Sequence, residues 1–208
     1  MRMKRFFAVM LATIMMMTCV TVASAANSPS KPSASLKSAA VSIQSLVYNA
    51  KAQKINGKIT VKVKASNGKY LTLKEGVHYK LVYKAGKYVN SYKVSIVGIG
   101  AYKGTTITKT YKIVKANNKV TVGNYKTSYS ASSLKKKATS FTLKVKGVGQ
   151  RTFKASVPSS LKKYISVSRG GKVTLKKGAK KGTYKIVVKC SGTHNYKAAT
   201  KTITIRVK

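Results

Sequence analysis

The sequence predicts an all-β protein made of two tandem β-sandwich modules behind an N-terminal targeting segment. Apolar residues alternate with lysine or threonine in short stretches such as Ile59–Lys64, which is typical of a strand with one wet face. Turn residues separate these stretches, and Asn67-Gly68 suits a tight hairpin. No window shows sustained helical periodicity. Short strands spaced in this way favour a sandwich or a barrel.

Five further stretches repeat the alternation, and the chain also repeats itself. The stretches are Tyr79–Tyr83, Tyr92–Ile96, Phe141–Val145, Tyr184–Cys190 and Ile203–Val207. The segment Gly98–Thr106 matches Gly192–Thr200, with a tyrosine at the same place in each, so both halves are predicted to end in a strand, a corner and a closing strand. We therefore expect one module over residues 37–117 and a second over residues 118–208. Tyr102 and Tyr196 are predicted to pack at the two corners.

Residues 1–25 are predicted to be a secretory signal peptide. The basic start Met1–Arg5 leads into the apolar run Phe6–Val22, and Ala23-Ser24-Ala25 offers a small-residue cleavage site. An uncleaved membrane anchor and a lipoprotein modified at Cys19 are the alternatives for this segment. Residues 26–36 hold two of the three prolines and are predicted to be an extended linker. The signal peptide predicts export and no membrane span is expected after cleavage, so the predicted location is extracellular, with the protein either free or associated with the cell surface.

Short motifs in both modules carry a family resemblance. The first module has Leu73–Tyr79 and Gly98–Thr105 after a Tyr48–Lys51 start, and the second has Gly171–Thr174, Gly182–Tyr184 and Asn195–Lys197. With these motifs the chain resembles the bacterial immunoglobulin-like repeats found in secreted and surface proteins of Gram-positive anaerobes. The resemblance implies two immunoglobulin-like β-sandwiches of the kind that serve as spacers or adhesive units. His78 stands where the family has an aspartate, so whatever that acid contributes is missing here.

The charge balance excludes several kinds of catalysis. The 208 residues include 43 lysines and arginines but a single acid, Glu75, which gives a formal net charge of +42. Catalysis by paired carboxylates needs two acids, and a Ser-His-acid triad needs one acid to orient the histidine. A Cys-His pair could use Cys190, but its strand position is predicted to face the core. The chain is therefore predicted not to be an enzyme.

Metal and cofactor sites are not predicted either. Calcium requires several oxygen ligands, and zinc requires three or four ligands from His, Cys and acidic residues. After the signal peptide the sequence offers His78, His194, Cys190 and Glu75, without local clustering. Glu75 is expected to cap a turn or pair with a nearby lysine. His194 is expected to form a local hydrogen bond or to face water.

The excess of lysine is the feature that points to a partner. Secreted domains usually mix both signs of charge, and binding to a polyanion requires only a high density of cations. Lysine runs in predicted loops of the second module are the candidate polyanion-binding residues. They are Lys135, Lys136, Lys137, Lys162, Lys163, Lys176, Lys177, Lys180 and Lys181. The predicted partners are anionic polymers such as wall polymers, acidic glycans and extracellular DNA, while sequence-specific nucleic-acid recognition is not expected because no known motif for it is present.

The thirteen tyrosines give a weaker prediction. Aromatic side chains in strands can stack on sugars or bases, but most of these tyrosines alternate with lysine in core-facing register. Tyr125 and Tyr129 are predicted to be the exposed pair. Two other functions stay open beside polyanion binding. The chain could be a spacer without a ligand of its own, or a cationic toxin, although a toxin would favour amphipathic helices that the sequence lacks.

Overall fold

The computed structural model describes residues 35–208, so the predicted signal peptide and most of the predicted linker lie outside the described residues. This part of the chain consists mostly of β-strands with few helices. Every ladder between named strands joins elements on the same side of residue 115. The described chain therefore divides into an N-terminal half, up to residue 117, and a C-terminal half, from residue 118.

The N-terminal half contains seven strands in two sheets. They are β1 (Ala40–Ile43), β2 (Leu46–Val47), β3 (Ile59–Lys64), β4 (Tyr70–Leu73), β5 (Tyr79–Tyr83), β6 (Asn90–Gly98) and β7 (Thr106–Val114). The strand order is β1–β3–β4 in one sheet and β2–β7–β6–β5 in the other. All neighbours are antiparallel except β2, which runs parallel to β7. The predicted hairpin at Asn67-Gly68 joins β3 to β4, and Gly68 has the positive φ of 80° that favours glycine in such a turn.

The C-terminal half contains nine strands and two short helices. They are β8 (Thr121–Gly123), β9 (Ser128–Tyr129), α1 (Ala131–Lys136), β10 (Thr139–Thr142), β11 (Lys144–Lys146), β12 (Arg151–Ser156), α2 (Ser159–Lys162), β13 (Ile165–Val167), β14 (Lys172–Leu175), β15 (Gly182–Cys190) and β16 (Ala199–Val207). The sheets are β12–β15–β16–β9, β10–β14–β13 and the pair β11–β8. The strand β9 runs parallel to the last strand, β16, as β2 does to β7.

The larger sheets of the two halves share one plan, and each includes the strand, corner and closing strand that the internal repeat predicted. In each, two nine-residue strands form the centre, and a two-residue strand pairs in parallel with the end of the last one. The core-facing apolar positions of the alternating stretches are buried or half-buried, and Val94, Ile96, Tyr184, Ile186 and Ile205 are 0% exposed. Burying one face of each strand in this way removes apolar surface from water and holds the sheets together.

Facing sheets share their cores. Val61 and Val63 of β3 cluster with Tyr79 and Ile96 of the opposite sheet. The larger core cluster lies in the C-terminal half and joins β14, through Val173 and Leu175, to β15 and β16. Two sheets packed on a common apolar layer form a β-sandwich, in agreement with the predicted class.

Two local features differ from the sequence prediction. The sequence did not predict the helices α1 and α2. Each is only one or two turns long and has a single buried leucine, Leu134 or Leu161, so no helical period can show in the sequence. The stretch Phe141–Val145 is not one strand. It changes partner at Leu143, since β10 pairs with β14 whereas β11 pairs with β8. Alternation continues across this switch, so the sequence pattern could not show it.

The two halves meet at the corner that follows β15. Ala116 donates its backbone N–H to Asn195 O at 3.0 Å and accepts from Lys197 N at 2.9 Å. The backbone N–H of Val89 donates to Asn195 Oδ1 at 3.0 Å, and His194 Nε2 lies 2.7 Å from Val89 O. His194 is exposed, as one of the two predicted alternatives had it, but its hydrogen bond is not local, because the corner reaches across to the other half.

Tyr102 and Tyr196 occupy different environments although they match in the repeat. Tyr102 is 1% exposed and belongs to the core of its own half. Tyr196 is half-buried and packs edge-to-face on Tyr48 of the N-terminal half, with ring centroids 5.3 Å apart. The corner of the first half thus closes its own core, whereas the corner of the second contributes to the junction.

Candidate polyanion-binding surface

The nine lysines of the sequence prediction lie at one end of the C-terminal half. They belong to α1 and the residue after it, to α2 and the residue after it, and to the turn between β14 and β15. All nine are exposed. We call this surface the basic end, defined as Lys135–Lys137, Lys162–Lys163, Lys176–Lys177 and Lys180–Lys181.

The helix α1 is held against the turn between β14 and β15. Leu134 is 1% exposed and belongs to the larger core cluster, and its carbonyl accepts from Gly178 N at 2.9 Å. Gly178 has a φ of 80°, which allows the turn to bend closely around the helix. Lys135 and Lys136 lie in the last turn of α1, where positive charge interacts favourably with the carbonyl end of a helix. These contacts bring the first run of lysines beside the third.

The helix α2 and the residues just after it contact both ends of the same turn. Lys176 donates its backbone N–H to Tyr164 O at 2.9 Å, just after the helix ends. A Cβ placed on Gly182 would lie 2.8 Å from a methyl group of Leu161, so the start of β15 packs tightly on α2. Lys163 Nζ stands 5.3 Å from the centre of the Tyr164 ring, within the range of a cation–π contact. These contacts bring the three lysine runs together at the same end of this half, although the sequence prediction placed all of them in loops.

A groove of about 840 Å³ opens in the basic end. Lys135, Lys180 and Lys181 line it together with Lys208, and Ser130 and Ser132 add hydroxyl groups. The backbone beneath the groove is fixed, because the Tyr184 hydroxyl donates to Lys180 O at 2.9 Å and Ala131 N donates to Lys208 O at 2.7 Å. An ordered backbone carrying long, mobile lysine side chains presents concentrated positive charge without a rigid binding geometry.

The predicted exposed tyrosines are not exposed. Tyr125 and Tyr129 are half-buried and pack against the larger core cluster, and Tyr129 stacks on Phe141 with ring centroids 6.1 Å apart. Burial raises the pKa of Tyr129, although a hydrogen bond with the Lys126 backbone lowers it in part. The position of Tyr129 results from the pairing of β9 with the distant strand β16, which the local sequence does not reveal.

Two other tyrosines are the exposed ones. Tyr70 and Tyr88 are 62% and 53% exposed, and Lys87 Nζ lies 5.6 Å from the centre of the Tyr88 ring. Both lie outside the alternating stretches in which tyrosine was assigned to the core, and that signal could have identified them. They belong to the N-terminal half and are not part of the basic end.

The other candidate groups, Cys190 and Glu75, take part in packing or hydrogen bonding within the fold. Cys190 is fully buried, as its strand position predicted. Glu75 accepts a hydrogen bond from Asn56 Nδ2 at 2.6 Å, and Asn56 also contacts the Tyr83 hydroxyl. Within residues 35–208 no group of three or more His, Cys, Asp or Glu residues could hold a metal ion. Among the same residues no helix is long and apolar enough to cross a membrane.

Comparison with known proteins gives only distant likeness. No family model matches the chain, and no curated protein matches it. Among solved structures, the chain is similar to the adhesin InvE of Yersinia pseudotuberculosis, with 13% identity and a TM-score of 0.27 over 81% of this chain and 59% of that one. It is also similar to a SusE-like surface located polysaccharide binding protein from the heparin utilisation locus of Bacteroides thetaiotaomicron, with 12% identity and a TM-score of 0.30 over 81% of this chain and 35% of that one.

A third similar structure comprises domains 4 and 5 of the S-layer protein SbsC, with 18% identity and a TM-score of 0.28 over 81% of this chain and 96% of that one. The chain thus spans only part of the adhesin and of the polysaccharide-binding protein. At these identities and TM-scores, the similarities identify neither a family nor a function for this chain.

Proposed function

We propose that this protein is a secreted, non-enzymatic surface module, built from two immunoglobulin-like sandwiches, that binds anionic polymers through the basic end. The basic end is the single observation that carries the proposal. Three lysine runs from separate segments converge on one surface, and every lysine in it is exposed. If the lysines served only to keep the surface solvated, these three runs would not have to lie together.

The electrostatics of the whole chain favour this function. The chain has a net charge of +42, and a single acid can neutralise almost none of it. A polyanion that replaces the surrounding counterions releases them to solution, and this release drives binding without any specific motif. An anionic partner would also relieve the repulsion among the lysines, which otherwise disfavours the compact state.

The choice of lysine indicates the kind of partner. A lysine ammonium is a point charge on a flexible stem, whereas arginine forms planar, bidentate contacts. Repeated phosphate, sulfate or carboxylate groups along a polymer suit such point charges. Wall polymers, acidic glycans and extracellular DNA are therefore the proposed partners, bound by charge density rather than by sequence.

Salt-stepped retention on immobilised heparin tests the proposal. We expect tight retention at low salt and elution that depends steeply on sodium chloride. A four-site variant should elute at distinctly lower salt than a control with the same number of charges removed from the N-terminal half. The test variant is Lys135→Gln, Lys177→Gln, Lys180→Gln and Lys181→Gln. The control variant is Lys51→Gln, Lys54→Gln, Lys58→Gln and Lys69→Gln, all at exposed positions.

Equal elution of the two variants would show that total charge, and not the basic end, controls binding. Weak retention that does not respond to salt would contradict polyanion binding altogether. The remaining function would then be a spacer, which is favoured by the direct hydrogen bonds that the corner at Asn195 makes to Val89 and Ala116 of the other half. Retention on purified cell-wall polymer, measured in the same way, extends the test from a model polyanion to a surface component.

A further inference from the structure

A second groove, of about 370 Å³, lies in the C-terminal half and takes no part in the basic end. Its lining includes Arg151, Arg169, Gln150 and Phe153. Only three arginines occur in the described residues, and this groove contains two of them. In a chain whose cations are almost all lysine, two arginines at one concave site indicate a planar, bidentate contact that lysine cannot make.

The groove lies at the opposite end of the sandwich from the basic end. The strand β12 begins at Arg151 and ends at Ser156, shortly before α2. Its six residues cover about 20 Å at the usual rise of a strand. Arg169 lies in the turn between β13 and β14, which is likewise the end remote from α2. The groove and the basic end are therefore separate surfaces.

The backbone that carries both arginines is firmly held. Gln150 N donates to Ser191 Oγ at 3.0 Å, and Ser191 N donates to Gln150 O at 2.9 Å, which fixes the start of β12. Around Arg169, Ser168 N donates to Lys172 O at 2.9 Å and Lys172 N donates to Ser168 Oγ at 3.1 Å. Because both turns are closed by hydrogen bonds, little ordering of the backbone is required when a ligand binds.

Glycines shape the walls of the groove. Gly171 has a φ of 80°, and a Cβ there would lie 2.8 Å from the Phe153 ring, so the turn lies directly on that ring. Gly149 has a φ of 92°, and a Cβ there would lie 2.3 Å from Gly192 O. A side chain at either position would move a wall. Because Gly171 lies so close to its ring, Phe153 is half-buried in the wall that it shares with the two arginines.

The lining combines apolar and cationic groups. Leu143 and Val145 add aliphatic surface to Phe153, and the strand change at Leu143 leaves this part of the sandwich open. Ligand pockets usually pair apolar walls with a few polar groups that fix orientation. A sugar ring offers C–H groups to the apolar wall and hydroxyl groups to the Gln150 amide. A carboxylate or sulfate on that ring matches the planar guanidinium, which forms paired hydrogen bonds with such oxyanions.

We propose that this groove is a binding site for a single sugar carrying a carboxylate or sulfate group, with Arg151 and Arg169 holding the oxyanion and Phe153 contacting the ring. The site goes beyond general polyanion binding, because it selects one residue of a glycan by geometry. It gives the protein a second, specific contact that the basic end does not provide.

Exchanging arginine for lysine separates geometry from charge. The full chain after the predicted signal peptide is titrated by two-dimensional NMR with methyl glucuronide, glucosamine 6-sulfate, methyl glucoside and inorganic sulfate. We expect at least one of the two charged sugars to bind, with shifts confined to the groove, and the neutral sugar and the free anion to bind at least about tenfold more weakly. The two charged sugars reveal whether carboxylate or sulfate is preferred.

Arg151→Lys and Arg169→Lys should each weaken charged-sugar binding by about tenfold, since lysine keeps the charge but loses the bidentate contact. Arg206→Lys, at the third arginine, is the matched control and should bind as the parent does. All three variants should elute from heparin with the parent, because their charge is unchanged and the basic end is intact. A failure of this inference is therefore distinguishable from a failure of the proposed function.

Three results would overturn the inference. The first is an absence of binding by either charged sugar at concentrations of about 100 mM, where even very weak sites fill. The second is undiminished sugar binding by both lysine variants, which would show that charge alone suffices. The third is equal binding of inorganic sulfate, which would assign the groove to free anions.

Discussion

At the scale of single residues, the buried hydroxyl of Tyr102 is the most unusual group. Tyr102 is 1% exposed, and its hydroxyl has no hydrogen-bond partner among the described residues. The ring of His78 packs edge-to-face against it, with centroids 6.0 Å apart. A buried hydroxyl without a partner costs free energy, because it loses its hydrogen bonds to water and gains none in the protein. Its aromatic body, however, closes the core of the N-terminal half.

Replacing that hydroxyl gives the first prediction. Tyr102→Phe should leave the free energy of unfolding unchanged or raise it by about 1 kcal/mol, since it removes an unpaired polar atom and keeps the ring. Urea denaturation at neutral pH measures this difference. Tyr70→Phe, at an exposed position, is the matched control and should have no effect. A loss above about 1 kcal/mol would mean that the Tyr102 hydroxyl has a partner after all.

The same variant should separate further from the parent at high pH. Burial raises the pKa of Tyr102 above the ordinary value of 10.0. In the unfolded chain the phenol ionises near its ordinary pKa, while in the folded protein it stays neutral, so ionisation favours unfolding. The tyrosine contribution is therefore fully present below pH 10 and is lost as pH rises through the raised pKa. The phenylalanine variant should escape this loss, and lysine neutralisation should affect both proteins alike.

At the scale of elements, the last strand of each large sheet is mostly unpaired on one side. The strand β2 pairs with only two residues of β7, and β9 with only two residues of β16. Long open edges invite pairing with another chain, and proteins protect them with charges, particularly lysine. Lys109 pairs with the buried Val94, and Lys201 pairs with the buried Val188. Each edge thus carries an exposed lysine in the core-facing register.

Removing these two lysines should allow the edges to pair. We expect Lys109→Val combined with Lys201→Val to cause concentration-dependent self-association, because both the charge repulsion and the interruption of the edge are lost. Sedimentation velocity over a range of concentrations measures it. The matched control is Lys93→Val with Lys185→Val, which removes the same charge from the interior strands β6 and β15. If the edge variant and the control sediment alike, these lysines do not protect the edges.

The alternating stretches made the long strands predictable and left the short elements out of reach. In β15 an apolar residue stands at every second position from Tyr184 to Cys190, so both the strand and its buried face could be assigned from sequence. The helix α1 spans only six residues, too few for a helical period to show. Tyr129 was assigned to the wrong environment because its burial depends on pairing with β16, far along the chain. Local patterns report local periods, not distant partners.

The candidate site was predictable to a similar extent. The nine lysines could be read directly from the sequence as runs of charge. Their convergence depends on contacts such as that of Gly178 with Leu134 and that of Lys176 with Tyr164, which join distant segments. The groove with Arg151 and Arg169 was not predicted at all, since its two arginines stand singly in the sequence and meet only through the fold. The signal that could have found it is the rarity of arginine beside so much lysine.

At the scale of the whole molecule, the charge imbalance governs stability. The sequence has a net charge of +42, almost all of it after the predicted signal peptide, so the folded chain holds like charges close together and folding must overcome their repulsion. Salt screens exposed charges over a Debye length of about 10 Å at 0.1 M, so it weakens the repulsion among lysines that lie farther apart than this. Added salt should therefore stabilise this protein, whereas it weakens the ion pairs that stabilise ordinary surfaces.

The near absence of acidic groups makes the response to acid unusual as well. Acid denaturation usually follows the protonation of carboxylates that are paired in the native state. Here Glu75 is the single acidic side chain, so lowering the pH removes little favourable interaction and adds few charges. We expect the free energy of unfolding to change by less than about 1 kcal/mol between pH 7 and pH 3 at constant ionic strength.

At pH 7, raising sodium chloride from 10 mM to 500 mM should raise the melting temperature by roughly 5 °C. Urea denaturation across this pH range and calorimetry across this salt range measure the two effects. A steep loss of stability between pH 7 and pH 3 would mean that Glu75, through Asn56, holds the fold far more strongly than one hydrogen bond should. A melting temperature that falls with salt would show that attraction, not repulsion, dominates among the charges.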